Sequence, residues 1–372
     1  MKNQIVISGG GTGGHVMPAL AIAEEIRKRG RTVSLFGTRR GIENRIVPST
    51  GIELTTFDTK PLIGGSLVQQ IGAVKALSTS IFKARRELIL QNVSLVISVG
   101  GYASLPAAFA AVTLNLPLVL LEPNALPGLA SKVTARFAKK IFTAFPATGL
   151  RLTGVENDPR VYSTGIPLRS SLVYTLDSTS KLDTPQSPYR FFVFGGSQGA
   201  KQLNDHIPDA LALLNNYLNP ESIEVVHQTG ELQRDEVERK YKTHGIRATV
   251  IPFEHSMGTR YKWSDVVICR SGAMTIAELS LAKRPALLIP LSHIGGGEQI
   301  ENARAFASAG RGLILNGSAF TTTTCFEALV SLMSLKYQWT SMTEKPAPFA
   351  DAKSSEKIVN ACEVFLGKPN AN

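Results

Sequence analysis

One local pattern occurs twice in this chain and limits its fold more than any other feature. IVISGGGTGGHVMPAL (5–20) and FFVFGGSQGAKQLN (191–204) both read as a strand, a glycine turn and a helix. Around each, short apolar and β-branched runs alternate with helical periodicity. Strands are expected at 4–8, 32–36, 95–98, 118–121 and 140–143, with helices at 19–29 and 67–90 between them. After a polar stretch, LDSTSKLDTPQSPY (176–189), strands resume at 190–194, 223–227, 248–251, 266–269, 286–289 and 312–315. Such alternation gives parallel sheets covered by helices on both faces. The fold class is therefore α/β, with two Rossmann-like, doubly wound parallel-sheet domains and a cleft between them. The expected division is 1–165, a linker at 166–188, a second domain at 189–345 and a segment at 346–372. The last segment carries a helix at 355–366 that returns toward the first domain.

Composition narrows the class. Of 372 residues, 43% are apolar and 19% charged, which excludes wholesale disorder. Cys269, Cys325 and Cys362 lie far apart without a CxxC pair, against a disulfide framework or zinc site and in keeping with a reducing cytosol. The most membrane-like stretch, 105–121, is interrupted by Asn115 and Pro117, too short for a spanning helix. The N-terminus reads as a strand rather than a signal peptide. A net charge of +11 points to an anionic partner. Residues 1–165 hold 19 Lys and Arg against 9 Asp and Glu, so the excess belongs almost wholly to the first half.

Three segments carry chemistry. Gly9, Gly11 and Gly14 form a literal G-x-G-x-x-G, where backbone N–H groups approach an anion at a helix start. A nicotinamide site would need an acidic residue after the second strand. Arg39 and Arg40 stand there instead, so only a phosphorylated cofactor would suit. His15 follows the glycines, where it serves either as a general base near neutral pH or as a helix cap. The second glycine turn (195–200) brings Ser197 to a phosphate oxygen and favours a two-substrate transferase over a dehydrogenase. In CRSGAMTIAE (269–278) a small-residue turn opens a helix near Ala273, and Glu278 falls one turn in. Its free amides suit a pyrophosphate, and Glu278 suits ribose hydroxyls or helix-start electrostatics. No D-x-D occurs, so amides and basic groups rather than a metal are expected at the leaving diphosphate. No cofactor is expected.

Eight segments in order then resemble the MurG family, bacterial UDP-N-acetylglucosamine:lipid I transferases of peptidoglycan synthesis with a GT-B fold. They are GGGTGGHVMPALA, GGYASLP, EPNALPG, TGIPLR, GGSQGAKQLN, HQTG, CRSGAMTIAE and EQIENA. The resemblance implies inverting, metal-independent transfer of N-acetylglucosamine from UDP to the muramyl 4-hydroxyl of lipid I. It implies His15 as the base, with Thr12, Gly13 and Gly14 beneath the sugar or acceptor diphosphate. Gly11, Tyr102 and Asn124 stand on the acceptor side, Asn124 also near the donor sugar. Arg169, Ser197 and Gln198 meet the donor phosphates or sugar. Backbone near Glu254 and Met257 frames the uracil. Ala273, Met274 and Thr275 hold the pyrophosphate, Glu278 the ribose and Gln299 the sugar hydroxyls. The chain departs from the family pattern at Pro123, Ile166, Glu254, Ser256 and the three-glycine loop before Glu298.

In 67–90, Leu67, Ile71, Val74, Leu77 and Ile81 recur at helical spacing, with Phe82 beside them and Lys75, Lys83, Arg85 and Arg86 interleaved. On pattern alone this is a core-facing helix with a solvated basic face. The resemblance reverses that, implying a patch on the anionic cytoplasmic face of the plasma membrane. Its implied partners are UDP-N-acetylglucosamine, UDP, lipid I, that membrane and proteins of cell-wall synthesis and division, but not nucleic acid. An NADP-dependent oxidoreductase, a non-catalytic recruiting subunit and another UDP-sugar transferase or epimerase remain as alternatives.

Overall fold

The computed structural model describes residues 4–59, 67–177, 185–291, 297–339, 347 and 349–366, the side chains of 67–71, 177, 318 and 337 excepted. The chain divides into two compact units, residues 1–170 with 348–372 and residues 171–347. Within the stretch expected as a linker, Ser170–Asp177 is a helix, and 178–184 lies outside the described residues.

In the first unit the strands are β1 (Gln4–Ser8), β2 (Thr32–Thr38), β3 (Glu53–Phe57), β4 (Val93–Ser98), β5 (Leu118–Glu122), β6 (Lys140–Thr143) and β7 (Val161–Ser163). They form one parallel sheet in the order β3-β2-β1-β4-β5-β6-β7. The edge strands β3 and β7 go beyond the sequence reading. ELTTF is polar and mostly half-exposed, and VYS is three residues long, so neither shows the apolar run of a buried parallel strand. Period-two alternation sends Ile5 and Ile7 of β1 into one core and Val6 into the core on the opposite face.

The second unit holds β8 (Tyr189–Phe194), β9 (Ile223–Gln228), β10 (Arg247–Ile251), β11 (Val266–Cys269), β12 (Ala286–Leu288) and β13 (Gly312–Ile314). Their order is β10-β9-β8-β11-β12-β13, again all parallel. In each sheet the winding reverses once, between β1 and β4 and between β8 and β11. Loops leaving neighbouring strands at such a switch point run to opposite faces and open a crevice at the strand carboxyl ends. The topology therefore pairs the glycine turn after β1 with Gly100–Gly101 after β4. It likewise pairs the turn after β8 with Arg270–Gly272 after β11.

The first helix spans Gly13–Lys28, six residues earlier at its start than periodicity suggested. Glycine's poor helix propensity hid the start, so Gly13, Gly14 and His15 form the first turn itself. The final helix, Ser354–Cys362, belongs to the first unit, with Ile358, Val359 and Cys362 in the same core as Val16 and Ile22. Full burial of each large aliphatic side chain there is worth about 1.5–3 kcal/mol. Arg29 Nη1 donates to Asn360 Oδ1 at 2.6 Å, and the buried Arg31 meets Glu363 at 2.6 Å.

Candidate functional site

In the first unit the loop after β1 is fixed by its own backbone. Gly9 N–H donates to Phe36 O at 3.0 Å, and Gly11, at φ +84°, turns its N–H inward to Glu43 Oε2 at 2.9 Å. Those two amides are spent inside the protein and are not available to a ligand. The amides of Gly13 and Gly14, in the first helical turn, have no partner among the described residues. Thr12 is the N-cap; its Oγ1 lies 3.1 Å from His15 Nδ1 rather than capping the helix. The imidazole rests against Gly100 and Gly101, both at positive φ, and a Cβ at Gly101 would come within 3.2 Å of the ring. The glycines of GGYASLP are thus the seat of His15. Burial outweighs the attraction of Glu43 and pushes His15 down to about 4. It is neutral at physiological pH and a weaker base than its ordinary titration range implied.

Tyr102 completes this half-site, its hydroxyl 3.3 Å from where a Cβ on Gly11 would lie. Burial, then the Glu43 charge, raises its pKa. Asn124 is oriented by Glu122, whose Oε1 accepts Asn124 N at 2.9 Å and Nδ2 at 3.1 Å. Glu122 is buried, and desolvation raises its pKa against those hydrogen bonds. Sequence reasoning singled out neither Glu43 nor Glu122. Glu122 ends an otherwise apolar strand, and Glu43 lies among glycines at 37 and 41; both were signals. Arg169 is half-buried near the end of this unit's first segment, with no partner among the described residues.

In the second unit the loop after β8 leaves Ser197 and Gln198 exposed, with Gly199 N–H on Gly196 O at 2.9 Å. A Cβ at Gly199 would lie 1.8 Å from Thr229 O, so HQTG forms the wall behind this turn. The buried His227 bridges Tyr241 Oη at 3.0 Å and Asn204 Oδ1 at 3.2 Å, and Asn204 Nδ2 donates to Thr229 O at 2.9 Å. Gln228 staples two loops, donating to Gly196 O at 2.7 Å and accepting Glu254 N–H at 3.2 Å. The Glu254 carboxylate is turned inward, paired with Arg260 and accepting Ser256 N–H at 2.7 Å. The acidic departure is thereby paired locally, with Arg260 of helix Met257–Trp263, which starts at the half-buried Met257.

Helix Ala273–Ala282 starts from Gly272 without a side-chain cap, and the amides of Ala273, Met274 and Thr275 have no partner among the described residues. Three orphan N–H groups at the positive end of a helix suit an anion. Five residues past Ala273, Glu278 Oε2 accepts the hydroxyl of buried Tyr261 at 2.8 Å, a contact that apolar spacing concealed. Gln299 is held beside this turn: its Oε1 accepts Leu291 N–H at 3.1 Å and its carbonyl accepts Ser271 Oγ at 2.7 Å. Residues 292–296 of the loop before it lie outside the described residues. Among the described residues no group of three His, Cys, Asp or Glu is placed to hold a metal ion.

Residues 5–143 match the glycosyltransferase family 28 N-terminal domain, and residues 190–358 match the glycosyltransferase family 28 C-terminal domain. The chain belongs to glycosyltransferase family 28. A family relative from Azotobacter vinelandii, UDP-N-acetylglucosamine--N-acetylmuramyl-(pentapeptide) pyrophosphoryl-undecaprenol N-acetylglucosamine transferase, is 37% identical over 369 residues, covering 99% of this chain and 100% of that protein. A protein of the same name from Myxococcus xanthus is 33% identical over 361 residues, covering 96% and 92%. The crystal structure of Acinetobacter baumannii MurG superimposes with a TM-score of 0.77 at 27% identity, covering 97% of this chain and 99% of that one. The two parallel-sheet domains are those of GT-B glycosyltransferases.

On the family 28 N-terminal half, helix Leu67–Leu90 divides cleanly by exposure. Ala73, Ser80, Ala84 and Leu88 are buried, and Leu77 and Ile81 are half-buried. Val74 and Phe82 are 57% and 75% exposed, alongside exposed Lys75, Lys83, Arg85 and Arg86. The side chains of Leu67 and Ile71 lie outside the described residues. No helix among the described residues is long and apolar enough to cross a membrane.

Proposed function

We infer that this chain transfers N-acetylglucosamine from UDP-N-acetylglucosamine to the 4-hydroxyl of the muramyl sugar in an undecaprenyl-pyrophosphoryl-linked pentapeptide, the conversion of lipid I to lipid II. The observation that carries this reading is the match, over nearly the full chain, to transferases of that name. In the first unit His15 is the base. Its Nδ1 faces the Thr12 hydroxyl, which leaves Nε2 to take the acceptor proton as the oxygen attacks the anomeric carbon. Tyr102 and Asn124 border the acceptor, and the Gly13 and Gly14 amides face its diphosphate or the sugar. In the second unit the amides of 273–275 meet the departing UDP, with Ser197 and Gln198 at its phosphates or sugar, a role given also to Arg169 of the first unit. Glu278, held by Tyr261, takes the ribose; backbone near Glu254 and Met257 frames the uracil, and Gln299 reads the sugar. Direct displacement of this kind inverts the anomeric centre.

The exposed face of helix Leu67–Leu90 fits an anionic surface, since each basic residue close to one contributes about 1 kcal/mol. We place the enzyme peripherally at the cytoplasmic face of the plasma membrane, where lipid I and the other cell-wall and division proteins would meet it.

Transfer of radiolabel to a lipid I analogue from UDP-N-acetylglucosamine, UDP-glucose or UDP-galactose tests the donor assignment. Label is expected to pass from the first at least about 100-fold faster than from the others, since a polar site rejects a donor that leaves its groups unpaired. Equal rates from UDP-glucose would overturn it.

A further inference from the structure

Beneath the first glycine loop lies a buried carboxylate to which the reaction described above gives no task. Glu43 is fully buried, and no lysine or arginine among the described residues pairs with it. Its Oε2 accepts Gly11 N–H at 2.9 Å, and its Oε1 accepts Thr38 N–H at 2.7 Å and the Thr38 hydroxyl at 2.9 Å. The chain makes room for it: a Cβ at Gly10, Gly37 or Gly41 would lie 2.3, 2.8 or 2.0 Å from its side chain. A neutral amide or hydroxyl could pin a loop at lower desolvation cost than a carboxylate. The charge therefore asks for a role of its own. It acts on the two groups lining this half-site, opposing the effect of burial at His15 and adding to it at Tyr102.

We propose that Glu43 is a positioning residue for the proton transfer. It holds Gly11 so that the adjoining Thr12 hydroxyl faces His15 Nδ1, and it places a fixed negative charge near the imidazolium that forms at His15. In that step the acceptor O–H proton passes to Nε2, the oxygen–anomeric carbon bond forms, and the bond to the UDP phosphate oxygen breaks with its electron pair. The logic is that of a buried carboxylate orienting and stabilising a catalytic histidine, here through one loop residue rather than by direct contact. The proposal rests on His15 being the base.

The test uses the full chain, with kcat and KM for UDP-N-acetylglucosamine from label transfer and Kd for UDP from calorimetry. Glu43→Gln is expected to lower kcat about 10- to 100-fold while leaving donor KM and UDP Kd within about twofold. Glu43→Asp, which keeps the charge, should recover much of that loss. Adding Glu43→Gln to His15→Ala should slow turnover no further, because both act on one step. Thr12→Val probes the same chain of contacts without disturbing the buried carboxylate, and it too should lower kcat without adding to His15→Ala. The proposal is overturned if Glu43→Gln stays within about threefold of the parent kcat, or if Glu43→Asp is no better than Glu43→Gln. An unchanged kcat in Thr12→Val, or full additivity in the double variant, also overturns it. A His15→Ala chain at full speed would remove the base assignment and this proposal together. A slow His15→Ala beside a fast Glu43→Gln removes this proposal alone.

Discussion

His15 and His227 are both neutral imidazoles, and for both burial is the main cause, pushing them down to about 4 and about 3. Above about pH 6.5 neither contributes to the pH dependence of stability, because folded and unfolded chains are equally unprotonated there. As pH falls below 6.5, the unfolded chain takes up protons that the folded chain refuses, so stability declines until the folded values are reached. The slope is at most about 1.4 kcal/mol per pH unit for each histidine. Urea unfolding followed from pH 7 to 4 should show this acid limb, and His227→Gln should make it shallower. An identical limb in the variant would contradict the assignment of His227. Residues such as Glu278 and Gln299 drew attention in the sequence because a motif carries them. Glu43, Gln228 and Tyr261 did not, since each acts on a loop or residue brought to it by the fold. Gln228 touches Gly196 and Glu254, 32 and 26 positions away.

At the scale of elements, buried parallel strands were the easiest to read. The LVLL of β5 and the FFVF of β8 are apolar throughout because both faces are covered. The edge strands β3 and β7 escaped because β3 is mostly half-exposed and β7 is only three residues long. Helix Leu67–Leu90 was ambiguous for a physical reason: apolar side chains at helical spacing suit a core and a membrane equally. Exposure separates the two, since Val74 and Phe82 stand outside with the basic residues while Ala84 and Leu88 face inward. Reversing two of those charges, Lys83→Glu with Arg86→Glu, should weaken binding to anionic vesicles by roughly 2 kcal/mol or more at low salt. Raising salt should weaken the parent in the same direction. Sedimentation with vesicles of anionic and of neutral lipid checks both; unchanged binding in the reversed variant would contradict a docking role for this face.

Across the whole molecule, charge and site are distributed differently. The excess of positive charge lies in residues 1–165, with the basic helix and the first glycine turn. The nearly neutral remainder has unpartnered backbone amides at the start of helix Ala273–Ala282, which suit an anion and which formal charge does not register. On the proposed function, a pI near 9.6 says little about the nucleotide and much about the surface proposed to hold the acceptor. Doubly wound topology explains why motifs far apart in sequence act in pairs: β1 adjoins β4, and β8 adjoins β11. One measurement tests the central claim directly: the yield and anomeric configuration of the disaccharide formed from UDP-N-acetylglucosamine and a lipid I analogue. A single displacement driven by His15 predicts a product joined through the muramyl 4-hydroxyl, with the anomeric centre inverted relative to the donor. No disaccharide, or one with the donor's configuration retained, would contradict it.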